Sequence, residues 1–209
     1  MKFPTHQVQA TPEGKPKPEA QRNFTDPDSR IMKKGKDGYM QGYNAQAVVD
    51  AECQVIVAAD VTNQAPDTEH FVPMLKLTIS NCAAVPDKVS ADAGYWSEVN
   101  EKAALQMGID PYIATGRLRR GEVESPPSGR ISATLGAKER MHRKTRTKKG
   151  KAIYARRKAI VEPVFGQVKA PRGLRQFLVR GSDKVRREFS LISLTHNILK
   201  LWRASAAPA

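Results

Sequence analysis

Hydrophobic positions along this 209-residue chain change period several times, and each change marks an element. Residues 38–50 (GYMQGYNAQAVVD) include a stretch of period two. Tyr43, Ala45, Ala47 and Val49 share one face, while Asn44, Gln46 and Val48 share the other. Residues 54–61 (QVIVAADV) form a β-branched, apolar run, and the short link Ala51-Glu52-Cys53 predicts an antiparallel hairpin. Pro66-Asp67-Thr68-Glu69 opens a helix in which Phe71, Met74, Leu75 and Ile79 recur at helical spacing. A short strand over residues 88–91 runs into Asp92. Ser97 caps a helix expected to turn Val99, Ala103, Ala104 and Met107 inward and to stop at Gly108. Residues 111–114 supply a last strand. The order hairpin, helix, strand, helix, strand predicts an α/β fold with mixed pairing.

The C-terminal part is helical in pattern. Residues 152–169 keep helical spacing apart from Pro163, which removes one hydrogen bond and predicts a kink or helix junction at Glu162. Residues 182–203 carry a stripe of Val185, Phe189, Ile192, Leu199 and Trp202, widened by Leu191, Leu194 and Ile198. Three segments lack such patterning. Residues 1–24 read as a flexible lead-in, residues 116–150 as a basic insertion rich in Gly, Pro and Ser, and residues 204–209 as a tail.

Charge separates the halves. Residues 1–100 hold 10 Lys+Arg against 13 Asp+Glu, and residues 101–209 hold 25 against 8. A polyanion, nucleic acid by default, fits the basic half. A membrane surface fits poorly, because the basic run 138–158 has few Trp, Phe or Leu residues, and no apolar run reaches the ~20 residues of a span. Cys53 and Cys82 form no CxxC pair and read as reduced thiols of a cytoplasmic protein.

Two acids stand out. From Arg140 to Arg180 there are 14 Lys and Arg residues and one acid, Glu162. On a helix, Lys158 and Lys169 share its side. Glu162 suits a divalent metal beside phosphate, and equally an intrahelical ion pair with Lys158. Asp92 ends a strand at a Gly turn, where open α/β sheets place ligands, and equally where a carboxylate caps a turn.

GYNAQAVVD (42–50), ADAGYWSE (91–98) and YARRKAIVEPVFGQVK (154–169) together resemble bacterial insertion-sequence transposases of the DDE superfamily, over about residues 25–203. The last motif is similar to a Tyr-Arg-Glu-Lys signature, on Tyr154, Arg157, Glu162 and Lys169, with one extra residue between Arg and Glu. The resemblance implies a ribonuclease H-like mixed sheet flanked by helices, and catalytic carboxylates holding two Mg2+ or Mn2+ ions. Asp92 and Glu162 would be the second and third acids. DNA contacts would fall on Tyr154, Arg157, Lys158, Lys169, Arg143, Lys144, Arg146, Lys148 and Lys149. The implied partner is double-stranded transposon-end DNA, bound by a nucleoid-associated protein that can be a homo-oligomer on DNA. The first acid is expected on a strand ahead of the hairpin. Asp26 and Asp28 lie in that direction without a strand before them, and the upstream strand candidate is residues 6–10. The expectation is therefore a C-terminal piece of a longer transposase, lacking the first strand. The alternatives are a DNA-binding remnant without catalysis, or a ribonuclease H-like nuclease of other substrate.

Overall fold

A computed structural model describes residues 23–33, 38–116, 129–130 and 134–206. The lead-in up to residue 22, the candidate strand 6–10, residues 117–128 and 131–133 of the basic insertion, and tail residues 207–209 lie outside the described residues.

The period-two segment breaks into two strands, β2 (Tyr39–Gly42) and β3 (Asn44–Val49). β2 pairs antiparallel with a strand the apolar pattern did not predict, β1 (Arg30–Lys33). β3 pairs antiparallel with β4 (Ile56–Thr62) around the turn at Ala51–Cys53, as the hairpin reading expected. β5 (Lys88–Ala91) and β6 (Asp110–Ile113) pair in parallel. A mixed sheet flanked by helices and lacking its first strand was expected. Among the described residues the strands form three two-stranded sheets, antiparallel β1–β2 and β3–β4 and parallel β5–β6, so the α/β class holds without one continuous sheet. The physical reason is a gap. The free edges of β3 and β5 line a common cavity, and no described strand fills it.

Helices cover both faces. A 3-10 turn over Asp67–His70 leads into α1 (Phe71–Cys82). α2 (Glu98–Gln106) starts at Ser97, whose hydroxyl accepts from the Asn100 N–H at 3.1 Å, and ends before Gly108 at φ +80°, a conformation that favours glycine. One core gathers Phe71 and Leu75 of α1, Ala91 of β5, Ala104, Ile109 and Ile113. The inward face of α2 differs from expectation. Val99 is 73% exposed, while Asn100 and Glu101 are buried. The Asn100 amide explains its own burial by donating to the backbone oxygens of Thr68 and Tyr95 at 2.8 and 2.9 Å.

The second core packs α5 (Ser182–Ala206) on the hairpin, with Val61, Val185 and Phe189 at its centre and Tyr43, Phe165 and Phe177 around it. The buried stripe of α5 is narrower than expected. Leu191, Leu194, Ile198 and Trp202 are exposed, because Ser193 and His196 take the inward places beside Ile192. His196 Nε2 meets the Gln54 carbonyl at 2.9 Å, and Asn197 bonds both the N–H and the C=O of Ile56. A side-chain amide thus does for β4 what a neighbouring strand would do.

Within the segment 116–150 read as a basic insertion, residues 137–146 form a helix, α3 (Ala137–Arg146), which buries Met141 and packs on β6, and residues 148–150 open the next helix. Thr147 alone separates α3 from α4 (Lys148–Lys169). The junction expected at Glu162 does not occur, since α4 runs unbroken through Pro163. Proline lacks the N–H that would serve the Ala159 carbonyl four residues back. The Gln54 side-chain amide, from the hairpin turn, donates to that carbonyl at 2.9 Å instead.

Candidate functional site

Asp92 follows β5 and makes the turn after it. Its Oδ1 accepts from the Gly94 N–H at 2.9 Å and caps the 3-10 turn Ala93–Tyr95. The capping role is therefore realised, and Oδ2 is left out of it. A second carboxylate converges on the same turn. A Cβ at Gly94 would lie 2.8 Å from Asp67 Oδ2 and 3.1 Å from Asp92 Oδ1. Only glycine lets both acids approach the turn this closely. In the sequence Asp67 stands in the segment that opens a helix. The structure makes it a neighbour of Asp92, with Oδ1 held by Asn44 Nδ2 at 2.8 Å and Gln46 Nε2 at 2.9 Å. The signal that could have found it was the pair of amides at Asn44 and Gln46, on one face of an otherwise apolar strand.

Tyr95 joins this cluster by donating its hydroxyl to Gln46 Oε1. Burial pushes the Tyr95 pKa well up, and the negative charges of Asp67 and Asp92 push it further. The phenol stays protonated and works as a donor. Arg157 of α4 approaches from the other side of the groove. Its guanidinium stands 5.4 Å from the Tyr154 ring centroid, and its Nε is buried without a hydrogen-bond partner.

Glu162 is not part of this cluster. α4 lines the cavity with Arg157, Ile160, Val161 and Phe165, whereas Glu162, Lys158 and Lys169 are exposed on its flank. The ion pair between Lys158 and Glu162 is not formed among the described residues. Among the described residues no three His, Cys, Asp or Glu side chains come together to hold a metal ion. Asp67 and Asp92 offer the hard oxygen donors that Mg2+ or Mn2+ prefers, but two carboxylates without Glu162 do not fit a two-metal site.

The remaining sequence candidates divide by placement. Asp26 and Asp28 anchor the chain rather than line the cavity. The Tyr43 hydroxyl donates to both Asp26 oxygens at 2.8 and 2.9 Å, and Gly181 N–H donates to Asp26 at 3.2 Å. Asp28 accepts from the Ser182 N–H and hydroxyl at 2.9 and 3.1 Å, at the start of α5. Lys148 and Lys149 are exposed at the first turn of α4, and Arg143 and Arg146 sit half-buried on α3. Lys169 lies 5.7 Å from the Phe165 ring centroid. Lys144 is turned inward. Its ammonium bonds Asp110 and the Pro111 carbonyl and stands 4.4 Å from the Tyr112 ring centroid.

This last pair gives a pH prediction. Burial alone would raise the Asp110 pKa, but the hydrogen bond and charge of Lys144 outweigh it and hold the carboxyl below its ordinary range. A depressed carboxylate pKa contributes stability above the unfolded value near pH ~4 and loses it as pH falls through the folded value. Both side chains are partly solvated, so Asp110→Asn is expected to cost about 1 kcal/mol or less at pH 7. Urea midpoints measured from pH 7 downward should show the wild type and the variant converging below pH ~4. A gap that persists unchanged at pH ~3 would contradict the assignment.

No helix among the described residues is long and apolar enough to cross a membrane. A family model for the transposase DDE domain matches residues 4–198. No curated protein and no solved structure matches the chain. The match spans the strand-end acids, the groove and both basic helices, and the chain belongs to the transposase DDE domain family.

Proposed function

We propose that this chain cleaves and joins double-stranded DNA at transposon ends, as the catalytic domain of an insertion-sequence transposase using Mg2+ or Mn2+. The observation that carries the reading is Asp92 at the C-terminal end of β5, lining one cavity with Arg157 of the cation-rich α4, within a match to the transposase DDE domain. In this reading Asp92 and Glu162 are the metal-holding acids, and Asp67 supports Asp92. Lys148, Lys149, Lys158, Lys169, Arg143 and Arg146 face phosphates, and Tyr154 and Arg157 stand at the junction of DNA and groove. Lys144 is left to the fold.

The separation of Glu162 from Asp92 favours a second reading, in which the chain binds DNA without cutting it. One experiment separates the two. Supercoiled and linear DNA carrying the element's ends is incubated with the chain and with Mg2+ or Mn2+, and nicking and joining are followed by gel. The catalytic reading expects metal-dependent products that Asp92→Asn lowers by at least about a hundredfold, while DNA affinity stays within a few-fold. Salt-sensitive binding with no metal-dependent product would leave the binding-only reading.

A further inference from the structure

We propose that the outward face of α5 pairs with the same face of a second copy of this chain, the two helices running antiparallel about a twofold axis. The inference needs neither DNA nor a metal ion and stands apart from the reaction proposed above.

α5 carries two apolar stripes. One, centred on Val185, Phe189 and Ile192, is buried against the hairpin. The other, Leu191, Leu194, Ile198, Leu201 and Trp202, is between 54% and 67% exposed. At 3.6 residues per turn the two stripes fall on opposite sides of the helix, so the hairpin that covers the first cannot cover the second. A surface helix ordinarily turns polar side chains to water. At these exposures roughly 500–600 Å² of apolar side chain lies open, the upper limit for the largest patch on a lone monomer.

Spacing, charge and area define the occupant. Leu191, Leu194, Ile198 and Leu201 follow one another at three, four and three residues, the alternation that seats side chains of one helix between those of another. The series reads the same in both directions. An antiparallel copy therefore sets Leu191 against Leu201 and Leu194 against Ile198, each contact made twice, as a twofold interface requires. Charge favours the same partner and fixes its sense. The chain carries a net +14, so cationic faces of two copies repel. From Phe189 to Trp202 the ionisable residues are His196 and Lys200, and both are bonded to Gln54 on the inner side. Toward the start of α5 the outer stripe continues through the exposed Lys184 and Arg187. A parallel pair would stack these cations on their own copies. The antiparallel pair brings Arg187 to Ser205 of the second copy and to the carbonyl end of its helix, where the helix dipole favours a cation. Covering the stripe on both copies removes roughly 1,000–1,200 Å² from water, the lower end of specific interfaces. That area suits a weak dimer, with a Kd on the order of 10 μM.

Sedimentation velocity of the full chain, without DNA or metal and in about 0.3 M salt to screen the net charge, tests the pairing. Between about 1 and 300 μM the weight-average mass is expected to rise from one chain toward two and to level off there. A single chain throughout, or growth past two, would overturn the proposal. Leu194→Glu and Ile198→Lys, made separately, are each expected to weaken self-association by at least about tenfold, because each buries two unpaired charges in the pair. Unchanged association of either variant would remove this face. Mixed one to one, the two variants are expected to associate at least about threefold more tightly than either alone, since the antiparallel register sets the new carboxylate beside the new ammonium. A mixture no tighter than its components would overturn the antiparallel pairing. Both positions are exposed, so melting temperatures are expected to stay within a few degrees of the wild type. Should either variant fail to fold, Leu201→Ser is expected to weaken the pair by at least about threefold, and unchanged association would again overturn the proposal.

Discussion

Replacing Gly150 by Ala is expected to destabilise the chain by about 3 kcal/mol or more, the upper end of what overpacking costs. Gly150 is buried in the first turn of α4, where a Cβ would lie 1.9 Å from the Lys144 carbonyl oxygen and 2.9 Å from its carbon. Neither is the tip of a flexible side chain that could swing aside. The same carbonyl accepts from the Thr147 hydroxyl at 2.8 Å, and that hydroxyl accepts from the Gly150 N–H at 3.0 Å. One residue thus closes α3 and opens α4, and the two helix ends touch through backbone. An added methyl must part them, and Met141 and Lys144 would be drawn away from β6 in the process. Urea unfolding followed by circular dichroism measures the cost. A loss under about 1 kcal/mol would mean that the joint has slack.

Removing four cations from α4 should have the largest effect on DNA binding. Lys148, Lys149, Lys151 and Lys158 are exposed and form no ion pair among the described residues. Each lysine that neutralises one phosphate contributes about 0.9 to the slope of log affinity against log salt. Changing all four to Gln is expected to lower that slope by about 3 to 4, and affinity on the order of a thousandfold near 0.1 M salt. Stability should stay within about 0.5 kcal/mol, as for solvated surface positions. Lys144→Gln is the contrasting case. Its ammonium is spent on Asp110, Pro111 and Tyr112, so it should lose stability while the slope stays put. Anisotropy titrations of a fluorescent duplex over a salt series give the slope. A change of less than about one for the fourfold variant would remove α4 from the interface.

Features encoded by near neighbours were legible in the sequence. β5 forms over the four residues predicted, Ser97 caps α2, and the hairpin turns at Ala51–Cys53, because alternation, capping and turn chemistry act within a few residues. Features that depend on distant partners were not. β1 has no apolar alternation to announce it and exists through its pairing with β2. Asn100 lies inward because its amide serves two carbonyls on other segments, a need that hydrophobic periodicity does not register. The site shows the same division. Asp92 was visible from its place after a strand, whereas Asp67 reaches it only once the turn before α1 has folded against β3. The groove was invisible, since an unpaired edge is a property of the assembled sheet.

Pro163 has a mechanical consequence. In an ordinary helix every turn offers the same closed ladder, so the backbone itself marks no axial position and side-chain packing alone sets it. The proline opens one rung of α4, and Gln54 fills that rung from the hairpin turn, while Lys200 of α5 holds the other end of the same amide at 2.8 Å. Slippage of α4 would leave an acceptor and a donor stranded together, each costing about 1–3 kcal/mol. The proline therefore works as a detent. It indexes the cationic helix to one axial position on the strands, so that Arg157 and the exposed lysines of α4 keep a fixed offset from Asp92.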